Sequence, residues 1–224
     1  MARRKATNVA ITYVSNQQIF KYDVHYNNTT IDPPELFAFI RNNFPECQIH
    51  YPQKPFLKMM IDKGFPPLRH QRWCCVSLKE YGGEGRLVMT GIRKEESYRR
   101  TKRNNFESCA KSYKWFLHPI FDWSELDVWE YIKNNNIQYC KLYDEGWKRI
   151  GCLFCPMNYY KNRLRDFERY PKHARAFERV FIKIYEKNKD RESYNRWKSG
   201  EEMFWWWLTN EEPFDKERDM PLFA

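Results

Sequence analysis

Glycine is scarce in this chain: its 224 residues contain 8, and the first is Gly64. No glycine-rich loop of the kind that cradles phosphate can therefore stand ahead of that position. No run of about 18 apolar residues occurs anywhere, which excludes a membrane-spanning helix. The opening Met1-Ala2-Arg3-Arg4-Lys5 is basic but leads into no apolar stretch of signal-peptide length. The expectation is a soluble cytoplasmic protein with no membrane partner, whose seven cysteines do not form a disulfide framework. Cysteine is absent after Cys155. Internal repeats, low-complexity tracts and flexible linkers are absent as well.

Aromatic side chains, by contrast, are abundant at 18%, within a hydrophobic content of 42% that suffices for a well-buried core. They continue into Phe204-Trp205-Trp206-Trp207-Leu208, a stretch expected to be buried in this chain or against a partner. The formal charge of +10 favours anionic partners such as nucleotides, nucleic acid or phosphate-bearing metabolites. Lys and Arg are spread along the chain, with denser patches at residues 3–5 and 99–103, so an ordinary solvated surface explains the charge equally well.

Alternation over residues 20–26 predicts a strand ending at Asn27-Asn28-Thr29-Thr30. Asp32 as cap, Pro33 at the first helical position and Glu35 three residues after the cap predict a helix start. A short strand is expected over 47–51, a helix over 56–63 stopped by Gly64, and a helix over about 68–80 carrying Cys74 and Cys75. Gly82-Gly83-Glu84-Gly85 precedes a strand rather than following one, so it reads as a turn into a strand at 87–90. A further strand at 115–120 is followed by Ser124 as the cap of another helix. Strands alternating with helices imply an α/β fold with a mostly parallel sheet. Beyond Cys155-Pro156 only helical periodicity remains, with Ala174, Phe177, Phe181, Ile184 and Tyr185 on one packing face. The expected division is an α/β domain at 1–150 and a helical region at 151–224.

Cys152-Leu153-Phe154-Cys155 has the spacing that lets two thiolates reach one metal, and Cys74-Cys75 offers a second pair. Four thiolates complete either a tetrahedral zinc site or a four-iron, four-sulfur cluster. Directly adjacent cysteines would both have to reach one zinc ion, whereas a cluster spreads its ligands over separate irons, so an iron–sulfur cluster ranks ahead of zinc. A redox dithiol ranks behind both, because it leaves Cys74-Cys75 unexplained. Cys47, Cys109 and Cys140 stand alone and read as small apolar residues.

The run from Thr90-Gly91-Ile92-Arg93 through Glu96-Ser97 to Arg100 follows a strand and leads into a helical stretch, the position at which open α/β sheets bind ligands. Gly91 lets backbone approach a ligand, and Arg93 and Arg100 offer forked donors to phosphate or sulfate oxygens. By the same topology Asn27, Thr29 and Asp32, at the end of the first strand, are expected to line this ligand crevice and join the nucleotide- or anion-binding set. A surface helix start of mixed charge is the competing reading.

Taken together, these segments resemble the phosphoadenylyl-sulfate reductase family, within the wider group of N-type ATP pyrophosphatases. The resemblance is carried, in order, by residues 26–35, Arg72-Trp73-Cys74-Cys75 with Leu78-Lys79, Thr90-Gly91-Ile92-Arg93 with Glu96-Ser97 and Arg100, residues 119–124, Asp127-Val128-Trp129, residues 142–146, and Ile150-Gly151-Cys152 to Pro156. It implies a Rossmann-like adenine-nucleotide α-hydrolase fold that binds ATP or an adenylated sulfate. It implies that Lys79, Arg93, Glu96, Ser97 and Arg100 contact the nucleotide or its anionic tail, and that the paired cysteines hold a [4Fe–4S] cluster. Relatives include sulfonucleotide reductases and enzymes that place sulfur in tRNA or the DNA backbone, which makes tRNA or DNA a candidate partner.

Two departures from the family pattern shape the expectation. The family's Ser-Gly-Gly-x-Asp-Ser loop has no counterpart, which points to a chain truncated at its N-terminus, one half of a split protein with the loop on a partner subunit, or a catalytically degenerate domain. No cysteine follows Cys155, which disfavours dedicated reduction of a sulfate donor. The leading expectation is thus an enzyme of ATP-dependent sulfur transfer or related nucleotide-activated chemistry, with no catalytic residue assigned. The alternative is a non-catalytic or split-subunit, metal-stabilised module that binds a nucleic acid or a partner protein; a homodimer is compatible with both.

Overall fold

The structure is a computed structural model in which residues 22–110 and 113–210 are described. The patch at 3–5, the segment 1–18 and the expected strand start at Phe20 lie outside the described residues. In chain order the elements are β1 (His25–Asn27), α1 (Pro34–Asn43), β2 (Gln48–His50), α2 (Phe56–Lys63), α3 (Trp73–Leu78), β3 (Leu87–Met89), α4 (Tyr98–Thr101), β4 (Phe106–Cys109), β5 (Lys114–Leu117), α5 (Glu125–Asn134), α6 (Tyr160–Arg169), α7 (Pro171–Asn188) and α8 (Gly200–Thr209). Short 3₁₀ turns occur at Lys94–Glu96, Lys141–Tyr143 and Glu192–Tyr194. The chain divides into two compact units, one of residues 1–28, 32–50 and 80–151, the other of 29–31, 51–79 and 152–224.

The first unit holds all the described strands. β1 pairs with β2 in parallel, His25 opposite Gln48 and Asn27 opposite His50. In a second sheet β3 pairs in parallel with β5, and β4 adds to the other edge of β5 in antiparallel register. The sheet character is thus mostly parallel, but the strands are only three or four residues long. The antiparallel β4 lies outside the sequence expectation, because Phe106-Glu107-Ser108-Cys109 carries too little apolar alternation to announce a strand. Two small cores support these sheets. Leu36 of α1 packs with Cys140, Leu142, Trp147 and Ile150, while Ile120, Val128 and Ile132 gather Met89, Trp123 and Trp129 around them. Gly82, Gly83 and Gly85 all adopt positive φ, and the Gly85 N–H bonds to the Tyr113 carbonyl at 2.7 Å, so this tract is the turn expected of it.

Two helix starts differ from expectation. The capping position of α1 is Pro33, in extended backbone with Pro34 following, and no side chain caps it. Asp32 is instead buried and accepts the Tyr26 phenol O–H. With Pro34 supplying no N–H, one of the donors a cap would satisfy is missing, and the carboxylate goes to the tyrosine. The helix expected over 68–80 is confined to Trp73–Leu78, since the chain before it turns back on itself through Leu68 N–H to the Gln71 carbonyl.

Helix α5 follows the pattern closely: Ser124 accepts the Asp127 N–H, and the Asp127 carboxylate accepts the Ser124 N–H at 2.6 Å, a reciprocal capping box. Ser124→Ala is expected to cost about 1 kcal/mol, read as a shifted urea midpoint at unchanged slope. The Asp127 carboxyl is held below its ordinary value by the Ser124 N–H and hydroxyl. A depressed carboxylate stabilises above its unfolded pKa and loses that contribution as pH falls through the folded value. The difference between wild type and Ser124→Ala should accordingly narrow in acid.

The second unit is helical. Along α7, Ala174, Phe177, Val180, Phe181 and Ile184 are buried at helical spacing, and on α8 Met203, Phe204, Trp207 and Leu208 face the same core. Trp205, on the opposite side of α8, is 42% exposed, so the aromatic run is buried on one face only. A methyl group at Gly200 would collide with the Ile182 backbone, which is why α8 can open so close against α7. Among the described residues no helix is long and apolar enough to cross a membrane.

Candidate functional site

Both cysteine pairs belong to the second unit. Cys74 and Cys75 sit on the short α3, whose entry is held by the Cys75 N–H on the Arg72 carbonyl and by Trp73, stacked on Phe56 at 5.7 Å between centroids. The Cys152-Leu153-Phe154-Cys155 loop is pinned at three points. The Leu153 N–H bonds to the Ile31 carbonyl at 2.8 Å, the Cys152 thiol lies 3.4 Å from the Thr29 hydroxyl, and the Phe154 N–H donates to Asp166 Oδ2 at 3.3 Å. Phe154 takes a left-handed conformation, φ 55°, which is uncommon for a bulky side chain.

An aromatic chain ties the two pairs together. Trp73 stacks on Phe56, Phe56 meets Phe177 at 5.7 Å, and Phe177 meets Phe154 edge-on at 4.8 Å. The Cys74 thiol is pushed far up by its hydrogen bond with Cys75 and by burial, and further by the negative charge that Cys75, Cys152 and Cys155 would carry if ionised. Cys74 thus has the other three cysteines as neighbours, and a strongly cationic centre is what lets such a group become thiolates together. Among the described residues no group of three or more His, Cys, Asp or Glu side chains is gathered as it stands around a point for a metal ion.

The loop after β3 belongs to the first unit. The Thr90 N–H extends the β3–β5 ladder to the Leu117 carbonyl at 2.9 Å, and the chain then runs through buried Gly91, Ile92 and Arg93. Arg93 is 1% exposed; its Nη1 donates to Glu95 Oε2 at 2.7 Å and to the Trp123 carbonyl at 3.0 Å, and its Nε lies 4.0 Å from Glu96 Oε1. Glu95 Oε2 also accepts the Glu125 N–H at 2.7 Å, the first residue of α5. Glu96 pairs with Arg100. Arg93, Glu96 and Arg100 are thus brought together, as an ion-pair network between loop residues. Ser97 is exposed at the start of α4 and makes no side-chain cap.

The remaining expected ligand residues fall in both units. Asn27 ends β1 with its Nδ2 3.4 Å from the Tyr81 carbonyl, and Asp32 bonds to Tyr26, both in the first unit. Thr29 and Lys79 fall in the second unit, Thr29 buried against Cys152, and Lys79 capping α3 through its N–H on the Cys75 carbonyl.

Two groups escaped the sequence reading. In the first unit, Arg86 grips Asp23, Asp23 accepts from His25, and His25 is 2.8 Å from His50; Arg86 and His25 hold the Asp23 carboxyl well below the usual range. Nothing in the sequence announces this pair of imidazoles until the parallel register of β1 and β2 is known. In the second unit, α6 buries Arg163 and Asp166. Here a signal existed: Arg163 lies three residues after Tyr160 and four before Phe167, on the helix face that packs inward.

The chain matches, over residues 8–158, the sequence model of the family described as the phosphoadenosine phosphosulfate reductase domain. It is 28% identical over 199 residues to an uncharacterised protein of Methanocaldococcus jannaschii, covering 84% of this chain and 48% of that protein. It is 33% identical over 144 residues to an adenosine 5'-phosphosulfate reductase of Oceanobacillus iheyensis, covering 59% of this chain and 57% of that enzyme. The chain thus spans about half the length of these curated relatives. Among solved structures it is similar to the crystal structure of phosphoadenylyl-sulfate reductase from Candida auris in a phosphate complex. The TM-score is 0.52 at 19% identity, over 68% of this chain and 78% of that one. At that identity the likeness speaks for the fold, which is α/β and Rossmann-like.

Proposed function

The chain belongs to the phosphoadenosine phosphosulfate reductase domain family, and from this premise we propose that it binds an adenine nucleotide, ATP or an adenylated sulfate, and carries a [4Fe–4S] cluster on Cys74, Cys75, Cys152 and Cys155. The chemistry is sulfonucleotide-related, with ATP-dependent sulfur transfer, to tRNA or DNA in view of the +10 charge, as the form this reading takes. The observation that carries it is that both cysteine pairs lie in one compact unit, joined through the Trp73–Phe56–Phe177–Phe154 rings, a donor set that thiophilic iron or zinc completes. A cluster gives each thiolate its own iron, so adjacent Cys74 and Cys75 need not converge on one point. Tetrahedral zinc, with all four sulfurs about 2.3 Å from one ion, requires that convergence.

When bound, the cluster supplies thiolate-ligated iron able to hold or pass an electron. This chain's own residues do the rest. Thr29 and Asp166 fix the Cys-x-x-Cys loop, and the Trp73–Phe56–Phe177–Phe154 chain sets the distance between the two pairs. Anaerobic purification followed by iron and acid-labile sulfide analysis tests the reading. About four of each per chain are expected in the wild type, with a marked loss in Cys155→Ser. Stoichiometric zinc without labile sulfide rejects the cluster.

A second reading, a non-catalytic or split-subunit module, is favoured by the pairing of Arg93 with Glu95 and of Arg100 with Glu96, which leaves less guanidinium charge for a ligand. Pyrophosphate release from ATP in the presence of tRNA or DNA would reject it; binding of either nucleic acid that weakens steeply with salt, without pyrophosphate release, would favour it.

A further inference from the structure

Arg163 is fully buried on α6, in the middle of the second unit. Its Nη1 donates to the Trp207 carbonyl at 2.6 Å, while its Nε and Nη2 have no hydrogen-bond partner. A neutral carbonyl does not cancel a guanidinium charge, and no carboxylate among the described residues pairs with it. Asp166, buried one turn further along α6, gives its Oδ2 to the Phe154 N–H. The Asp166–Phe154 bond seats α6 on the Cys152–Cys155 loop, and Arg163, three residues before Asp166, lies on the helix face that meets this loop. Burying a charge with no counter-charge is among the costliest arrangements a fold can hold, so two unmet N–H donors on the face that meets the cysteine loop suit an anionic group there.

We propose that Arg163 is the buried counter-cation of the four-cysteine site, its free donors turned to the negative charge that thiolate ligation brings to Cys155 and its neighbours. The inference rests on the cluster reading above and extends it to a residue outside the ligand set. Four thiolates and a cluster together form an anionic centre in a buried setting. A fixed cation and N–H groups directed at ligand sulfur hold such a centre in place, the role that residues one layer behind a metal's ligands commonly fill. Arg163 does not coordinate iron; it is a positioning residue acting through Cys155.

The test compares wild type, Arg163→Gln and Arg163→Lys after anaerobic reconstitution with ferrous iron and sulfide, using the rate of iron loss to a chelator as readout. Gln keeps a donor for the Trp207 carbonyl but removes the charge, whereas Lys keeps the charge. The expected result is cluster loss about tenfold faster in Arg163→Gln, with Arg163→Lys restored to near the wild-type rate. Equal rates in wild type and Arg163→Gln overturn the proposal. So does equal impairment of both variants, which assigns Arg163 to packing, and so does failure of both to fold as judged by circular dichroism of the metal-free chains. A wild type that takes up no iron and sulfide is a different failure, that of the cluster reading itself, and removes this inference with it.

Discussion

Phe177→Ala is expected to cost about 3–5 kcal/mol of folding stability and, unlike a comparable deletion elsewhere on α7, to lower iron uptake as well. Phe177 is fully buried and touches three rings: Phe154 edge-on at 4.8 Å, Phe56 at 5.7 Å and Trp207 stacked at 5.8 Å. Phe154 lies between Cys152 and Cys155, and Phe56 carries the Trp73 that precedes Cys74. Truncation therefore opens a cavity between the two cysteine-bearing segments. The cavity removes dispersion contacts from both sides, and the left-handed Phe154 loses the ring that helps to hold it. Phe181→Ala is the control. It is equally buried on the same helix, but its ring partners are Phe204 and Trp207. Urea unfolding should show losses of similar size for the two variants, and iron analysis after reconstitution should separate them. Equal iron content in both would mean that the aromatic chain does not set the distance between the cysteine pairs.

The helices that could be read from the sequence were those whose ends are set by local chemistry. Residues 56–63 stop at Gly64, which takes the left-handed cap with its N–H on Met60 and Ile61, and α5 starts at Ser124 in a complete capping box. Such signals lie within four residues of the feature they control. The antiparallel β4 depends on pairing with β5 across a turn, and the burial of Asp32 on its bond with Tyr26, so neither is written into its own segment. The site divides in the same way. The cysteine pairs are visible as spacing, because metal ligands come in short motifs, and both pairs do lie in one unit. What surrounds them was not visible. Thr29, expected at the mouth of a nucleotide crevice, has its hydroxyl against Cys152, and Asp166 acts on the backbone of Phe154. A polar residue supporting a loop from another helix leaves no periodic trace.

Arg93→Met is expected to cost about 3 kcal/mol, a loss that arises from internal structure whether or not a ligand is present. The guanidinium is 1% exposed and serves two acceptors, the Glu95 carboxylate and the Trp123 carbonyl, with the charge of the nearly buried Glu96 4.0 Å from its Nε. Glu95 is 46% exposed, so its pairing is screened by water and contributes little. The larger penalties come from the Trp123 carbonyl, which loses a charged donor, and from Glu96, which is left with Arg100 alone. Arg93→Lys should recover only part of the loss, because the ammonium is a more strongly hydrated charge than the guanidinium and costs more to bury. Nucleotide titration of the same variants then separates two roles for this arginine. If Arg93 only props the loop, Arg93→Lys, measured well below its melting temperature, binds ATP as the wild type does, while Arg100→Met weakens binding without comparable loss of stability. If Arg93 grips the anionic tail itself, Arg93→Lys and Arg93→Met weaken binding in proportion to their lost contacts even where the fold is intact. The burial of Arg93 and its commitment to Trp123 and Glu95 favour the first outcome, with Arg100, at 16% exposure, as the guanidinium nearer to solvent.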